Sequence, residues 1–268
     1  MTALSFSVFL ILAVFSAFNC YDSYKTLSTL KNIQRNRNFI FQTVSAEVQK
    51  EKSFVQDELR PYAMNLHTRD QSPKEGKQAP QVPFTKWEVS RADYLRFLVD
   101  SLKVYETFED ISSSNPRYVA FKNSGLERSE ALHKDLEWFL KYDSTLSIPP
   151  VGAGGIEYSD ALSVLAATSA PRFVCHFYNH YFAHTAGGRM IGKRMSERLL
   201  GGHTLHFYQW LAASEGDPRP LLERVRMSID AEAARWSADE RQACLEETPA
   251  TFAAGARLMI YMKPPDQR

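Results

Sequence analysis

The longest apolar pattern in the chain has helical spacing and contains two adjacent glycines. It begins at Pro171 and runs to about Leu200, with Gly187 and Gly188 in its interior. Each glycine costs a helix interior up to about 1 kcal/mol relative to alanine. The pair therefore predicts a kink, with two uses open: a flat ligand lying against bare backbone, or the close packing of a neighbouring helix.

Helical periodicity also accounts for most of the remaining chain. The predicted helices are 45–69, 90–111, 125–141, 171–200, 218–236 and 237–261. Pro61 should kink or restart the first of them, and Ser90 with Asp93 and Ser237 with Glu240 form two predicted capping boxes. Residues 71–86 and 144–157 are rich in proline and glycine and predict loops. No segment shows strand alternation, so we expect an all-α fold with a single multi-helix domain.

The N-terminal segment has the composition of a two-part targeting leader. Residues 1–17 are uncharged and apolar and are typical of a signal peptide, the alternative being a transmembrane anchor. Residues 18–45 carry four bases, several hydroxyls and one acid, which is typical of a transit peptide. With Phe18 at the junction, the leader resembles those of plastids acquired by secondary endosymbiosis. We therefore expect a mature domain at 46–268, in the plastid stroma and outside the membrane.

Composition excludes several other classes of protein. The 32 Lys+Arg residues balance 31 Asp+Glu residues, for a formal net charge of +1, so no strong basic field for nucleic acid is present. The three cysteines are far apart in sequence and lack a C-x-x-C pair. This pattern supports neither a disulfide framework nor a cysteine zinc site, and favours a reducing compartment.

Histidines are the first candidates for chemistry. His67 lies at the end of a predicted amphipathic helix, where a neutral imidazole can ligate a metal or haem iron or can simply bond the last carbonyls of the helix. His176, His180 and His184 recur every four residues and share a helix face. No carboxylate stands between them and aromatic residues do, so a buried, hydrogen-bonded role for one or two of these histidines is favoured over a metal site.

Long stretches of the sequence resemble haem oxygenases of the plant and plastid type. The resemblance is carried by residues 173–192, which include FVCHFYN and YFAHTAGGRMIG, and by YLRFLVDS at 94–101, FKNSGLER at 121–128, LEWF at 136–139, CLEET at 244–248 and LHTRDQ at 66–71. It covers essentially all of residues 52–262.

This resemblance implies haem sandwiched between a proximal and a distal helix. His67 would be the iron ligand, and it separates the chain from the plant subclass that lacks this ligand. Arg60, Tyr178 and Arg226 would hold the haem propionates. Gly187, Gly188 and His184 would form the distal catalytic side, with His184 where other members carry a water-ordering aspartate.

The implied reaction uses haem as cofactor and substrate and converts it with O₂ to biliverdin IXα, CO and Fe²⁺, for phycobilin or phytochrome chromophores. Reduced ferredoxin is the implied electron donor. Arg189, Lys193, Arg194 and Arg198 form a candidate docking edge, or a solvated helix face in which Lys193 pairs with Glu197. Two other functions compete: a non-catalytic haem carrier or sensor, and a thiamin-degrading type of enzyme with Cys175 as nucleophile.

Overall fold

The computed structural model describes residues 53–263, apart from residues 70, 73, 80–87 and 211–215. Every regular element in these residues is helical, and their only strand-like pairing is an isolated bridge between Thr68 and Gln78. The predicted all-α fold is confirmed. None of the described helices is long and apolar enough to cross a membrane. The predicted signal peptide at 1–17, the transit peptide at 18–45 and the predicted domain start at 46 lie outside the described residues.

The helices are numbered here in chain order. The first helix, α1, has a π-helical part, Val55–Leu59, and an α-helical part, Arg60–Met64. The others are α2 (Arg91–Ser114), α3 (Ser129–Tyr142), α4 (Ala153–Thr168), α5 (Ala170–Ala183), α6 (Arg189–Leu199), α7 (Arg219–Ala233), α8 (Ala238–Glu246) and α9 (Thr248–Leu258). A π-helical segment, His184–Gly188, joins α5 to α6. Short 3₁₀ turns lie at Pro116–Phe121, His206–Tyr208 and Ile260–Met262.

Pro61 changes the register of α1, as the sequence predicted. Proline has no backbone N–H to donate, and the turn before it is wide, with the Arg60 N–H bonded to the Val55 carbonyl. The α-helical part then ends at Met64, earlier than predicted. His67 therefore lies in the turn that follows the helix, where its own N–H bonds the Met64 carbonyl at 3.2 Å.

Two further predicted boundaries are wrong. The predicted loop at 144–157 ends early, because α4 begins at Ala153 with its N-terminal Gly152 N–H donated to Asp100 at 2.6 Å. The predicted helix 237–261 is two helices, α8 and α9, that meet at Glu247. Pro249 stands in the first turn of α9, where its missing N–H interrupts the ladder of a continuous helix.

The capping boxes and the core agree with the sequence pattern. Both predicted boxes, at Ser90 with Asp93 and at Ser237 with Glu240, are formed. Helix α5 runs through the centre, since it contacts α4, α8 and α9 and ten of its residues are buried. Because α5 continues directly into the π-helical segment, a well-packed helix fixes the position of the two glycines.

Candidate functional site

The predicted kink at the two glycines is the π-helical segment His184–Gly188. Wide turns of this kind recur at functional sites. A Cβ atom at Gly187 would meet nothing within 4 Å, whereas a Cβ at Gly188 would lie 2.9 Å from Nδ1 of His184. Gly187 thus faces open space, which a flat ligand can use, and Gly188 makes room for a side chain of its own segment. Close packing against another residue occurs instead at Gly192, where a Cβ would lie 2.6 Å from the Tyr208 ring.

His184 is buried at the start of this segment and held from two sides. Its Nε2 lies 2.8 Å from the Phe207 carbonyl oxygen, and its ring stacks on the Phe207 ring with centroids 4.0 Å apart. A carbonyl oxygen only accepts, so Nε2 carries the proton. Desolvation lowers the pKa of His184 to about 3. The ring is therefore neutral at physiological pH, with the lone pair on Nδ1.

His67 is oriented by the last turn of α1. Its Nδ1 lies 3.0 Å from the Ala63 carbonyl oxygen, and its ring meets the Phe252 ring edge-on, with centroids 5.2 Å apart. Bonding Nδ1 to a carbonyl leaves Nε2 as the nitrogen with the lone pair, and Nε2 has no hydrogen-bond partner among the described residues. The two roles open to His67, bonding a helix carbonyl and ligating iron, are thus compatible, because the carbonyl bond uses Nδ1 and leaves the lone pair of Nε2 for a ligand.

Arg60, Tyr178 and Arg226 come together from three helices. Burial raises the pKa of Tyr178 to about 12, and the charges of Arg226 and Arg60 oppose that rise. The Arg226 guanidinium lies 5.1 Å from the centre of the Phe182 ring, which in turn packs on Tyr178. Two guanidinium groups thus lie near enough to act on the Tyr178 phenol, and the three side chains are donors suited to carboxylates.

Both arginines already have carboxylate partners. Arg60 makes a two-pronged bond to Glu75, with distances of 2.8 and 2.9 Å, and the two side chains are each 40% exposed. Arg226 bonds Glu223 at 2.8 Å on its own helix. Both pairs are reached by solvent, so an incoming carboxylate can share or replace the glutamate partner.

Helix α9 connects the two sides of the site. It contacts both α1 and α5, and it contributes Phe252 to the His67 side. Gly255 of the same helix would place a Cβ where no other atom lies within 4 Å. No sequence signal marks α9 as part of the site, because a phenylalanine on a helix is usually core.

The other two histidines of the i, i+4 series have separate environments. His176 is buried and bonded to the Tyr158 hydroxyl and to Glu247, both at 3.1 Å. His180 packs against Tyr105 and Phe108, and its buried Nε2 has no partner among the described residues. A buried, hydrogen-bonded role was predicted for one or two of the three histidines, and His176 and His184 have it, whereas His180 does not.

The basic residues of α6 are mostly exposed. Arg189, Lys193 and Arg198 are exposed and Arg194 is half-buried. Lys193 and Glu197 lie 4.0 Å apart with 79% and 56% of their side chains exposed, which is a loose pair. The two interpretations of this face, docking edge and solvated surface, both remain compatible with its geometry.

Cys175 has the geometry of a core residue. It is fully buried, and its sulfur lies 3.5 Å from the Thr248 hydroxyl. A reactive thiol needs access to its substrate. The thiamin-degrading alternative therefore loses its only candidate nucleophile among the described residues.

Asp135 is the main residue that sequence reasoning missed. It is fully buried on α3 and accepts the N–H groups of His206 and Phe207 at 2.8 and 2.7 Å. The signal was available, because Asp135 falls on the buried stripe of an amphipathic helix, with Leu132, Leu136 and Phe139. A carboxylate in such a stripe has to be bonded.

Known proteins match this chain over most of the described residues. Residues 55–259 match the family model described as Heme oxygenase. The rice protein named "Heme oxygenase 1, chloroplastic" is 47% identical over 214 residues, which cover 79% of this chain and 71% of that protein. The Arabidopsis thaliana protein of the same name is 46% identical over 221 residues, 78% of this chain and 76% of its own. A second Arabidopsis protein, named "Probable inactive heme oxygenase 2, chloroplastic", is 41% identical over 168 residues, 62% of this chain and 54% of its own.

Solved structures share the helical architecture. Heme oxygenase-1 of the cyanobacterium Synechocystis, determined in complex with heme, superposes with a TM-score of 0.58 at 20% identity, and covers 74% of this chain and 90% of that one. Heme oxygenase 2 of Chlamydomonas reinhardtii, determined without heme, gives a TM-score of 0.52 at 17% identity, with coverage of 64% and 83%. At these identities the likeness shows the fold.

Proposed function

The chain belongs to the haem oxygenase family, and we propose that it is an active member that converts haem, O₂ and reducing equivalents to biliverdin IXα, CO and Fe²⁺. Haem supplies both the iron that activates O₂ and the ring that is cleaved. The observation that carries the proposal is the geometry of His67.

His67 has the features of a preorganised iron ligand. Histidines that ligate metals commonly donate the N–H of their other ring nitrogen to a carbonyl or carboxylate, which fixes the tautomer and the ring orientation. The Nδ1 bond to the Ala63 carbonyl, at 3.0 Å, does this for His67. Nε2 then holds the lone pair that binds the haem iron, and Phe252 limits rotation of the ring.

The remaining residues bind and enclose the rest of the haem. Arg60 and Arg226 bind the propionates, since a planar guanidinium can donate two parallel hydrogen bonds to a carboxylate. Tyr178, protonated at any physiological pH because its pKa is raised to about 12, donates a further bond. Gly187 leaves space for the flat ring, and His184 is a neutral group on the distal side.

We further propose that the protein works in the plastid stroma with reduced ferredoxin as electron donor. The relatives that share nearly half its residues are named chloroplastic, and the composition of residues 1–45 agrees with a signal and transit leader. The exposed basic residues of α6 suit an acidic donor. Its biliverdin would then feed phycobilin or phytochrome chromophore synthesis.

A haem carrier or sensor on the same fold is the second candidate. It is favoured by one observation, the 41% identity to a protein named as inactive. Such a protein would share the fold and the propionate side but would leave bound haem intact.

The test is a hemin titration of the purified domain followed by reduction in air. We expect a histidine-ligated Soret band that is lost in His67→Ala and kept in the control His133→Ala, an exposed histidine that pairs with Glu106. Reduced ferredoxin should then convert the band to the broad red absorbance of biliverdin, with the IXα isomer identified by chromatography. Haem that binds and persists, under a donor that turns over a control enzyme, assigns the carrier function instead.

A further inference from the structure

Asp135 is a buried carboxylate with no cationic partner among the described side chains. Both of its oxygens accept backbone N–H groups from the turn His206–Tyr208, at 2.8 and 2.7 Å. Desolvation raises the pKa of Asp135, and the two backbone bonds oppose that rise. Burial of a carboxylate is costly unless its oxygens are bonded. The two N–H groups of this turn supply those bonds, so Asp135 and the turn hold each other in place.

That turn reaches His184 directly. The N–H of Phe207 is bonded to Asp135, and the carbonyl of the same residue accepts from His184 Nε2 at 2.8 Å. From the other side, the Tyr208 ring is seated on Gly192 of α6, where no side chain would fit. The Phe207 carbonyl is therefore clamped between α3 and α6.

The clamp determines which nitrogen of His184 carries the proton. A carbonyl accepts only, so the bond selects the Nε2–H tautomer. The lone pair is left on Nδ1, which lies at the kink beside Gly188. A ring fixed in this way can accept a hydrogen bond at the kink from water, and it has no proton to give there.

We infer that Asp135 is a positioning residue, which holds the Phe207 carbonyl so that His184 stays in the Nε2–H tautomer and offers Nδ1 as a hydrogen-bond acceptor to water at the kink. The Nε2–H tautomer of His184 is a property of the protein without haem, so it does not depend on the proposed function. Its use in ordering distal water during turnover rests on the proposed function.

The tautomer can be read without haem. Protein labelled with ¹⁵N-histidine gives long-range proton–nitrogen correlations that distinguish Nε2–H from Nδ1–H imidazole, and His184→Gln assigns the His184 signals by their loss. We expect a single Nε2–H pattern in the wild-type protein. In Asp135→Asn one of the two acceptor oxygens becomes a donor, so we expect a mixture of tautomers or exchange-broadened signals.

Asp100→Asn is the matched control. Asp100 is also buried and also accepts a backbone N–H at a helix N-terminus, from Gly152 at 2.6 Å, but it holds α4 rather than the turn. It should keep the wild-type His184 pattern. If Asp135→Asn does not fold, Gly192→Ala displaces Tyr208 and the same turn from the α6 side, and the same loss is expected. A folded turn variant that keeps the pure Nε2–H pattern overturns the inference.

Turnover supplies a second and separable readout. Loss of a residue that orients a functional histidine commonly costs roughly tenfold or more in activity, so we expect such a drop in Asp135→Asn with hemin affinity unchanged. A change of tautomer with unchanged turnover would overturn the catalytic use of His184 and leave the positioning intact. Failure of the wild-type protein to consume haem would overturn the proposed function alone.

Discussion

At the level of single residues, Gly187 and Gly188 have different surroundings and should respond differently to substitution by alanine. A Cβ at Gly187 would enter open space, and a Cβ at Gly188 would lie 2.9 Å from His184 Nδ1. In the haem-free protein we expect Gly187→Ala to raise the free energy of unfolding by up to about 1 kcal/mol, through helix propensity. We expect Gly188→Ala to lower it by about 1–3 kcal/mol, because His184 is bonded and stacked and cannot move aside. Chemical denaturation of the two variants measures both changes.

In Gly187→Ala, hemin affinity and stability should change in opposite directions. The added methyl group of Gly187→Ala occupies the space left for the ring, so hemin affinity should fall although the protein is more stable. Equal hemin affinity in Gly187→Ala and the wild-type protein would contradict a ligand lying on this glycine.

His180 should make the fold sensitive to acid. Desolvation, with a smaller effect of the nearby His176 charge, lowers the pKa of His180 to about 3, from 6.5 for an ordinary histidine. Above pH 6.5 the ring is neutral in both the folded and the unfolded chain, so His180 does not lower the free energy of unfolding. As the pH falls toward 3, the unfolded state takes up the proton first, which costs about 1.4 kcal/mol per pH unit.

Replacing His180 by phenylalanine removes this effect, because the site is lined by Tyr105 and Phe108 and the buried Nε2 bonds to no described residue. Between pH 7 and pH 5, His180→Phe should lose about 2 kcal/mol less unfolding free energy than the wild-type protein. Parallel pH profiles of the two proteins in urea denaturation would show that His180 is not buried neutral.

At the level of elements, apolar stripes and caps predict most helices, and two predictions fail: Pro249 divides the predicted helix 237–261, and glycines lie inside a helix at the start of α4. The Ser90 capping box predicted the start of α2, and the glycine pair predicted the π-helical kink. The glycines at the N-terminus of α4 predict a loop, but they lie where neighbouring helices come close. A Cβ at Gly155 would lie 3.1 Å from the Asp100 Cα of α2, and a Cβ at Gly154 would lie 3.0 Å from the Arg257 carbonyl oxygen of α9.

Gly155 therefore sets the distance between α2 and α4. A Cβ there would also lie 2.9 Å from Val151 Cγ1, and the backbone of Asp100 cannot yield as a flexible side chain can. We expect Gly155→Ala to lower the free energy of unfolding by about 1–3 kcal/mol. Gly255→Ala, in the open interior of α9, is the control and should raise it by up to about 1 kcal/mol in the haem-free protein. Two equal effects would mean that helix propensity alone, and not packing, decides the outcome.

The sequence predicts which side chains belong to the candidate site, but it does not predict the groups that hold them in position. The glycine pair and His67 stand out in the sequence pattern itself, and the resemblance adds Arg60, Tyr178 and Arg226. Asp135 and Phe207 act through backbone groups of a turn distant in sequence, and Phe252 comes from a third helix. Backbone carbonyls have no sequence signature, so the group that fixes the His184 tautomer emerges only from the fold.

At the level of the whole molecule, charge is nearly balanced but unevenly placed. The formal net charge is +1, while α6 exposes Arg189, Lys193 and Arg198 just beyond the glycines. Because charges on a surface are screened within about 8 Å at physiological salt, a partner feels this local face rather than the net charge. Met190, which is 61% exposed on the same helix, adds an apolar contact of the kind found at transient interfaces.

Reversing two of these charges tests whether α6 receives the electron donor. In Arg189→Glu with Lys193→Glu, we expect the KM for reduced ferredoxin at low salt to rise roughly tenfold, because steering of an acidic partner is lost. The salt dependence of turnover should flatten, while hemin affinity and turnover with ascorbate, a small reductant, stay the same. Arg117→Glu with Lys134→Glu changes the net charge equally at exposed positions elsewhere and should leave the KM unchanged. If both double variants behave like the wild-type protein, the loose Lys193 and Glu197 pair belongs to a solvated helix face, and electrons enter from another side of the molecule.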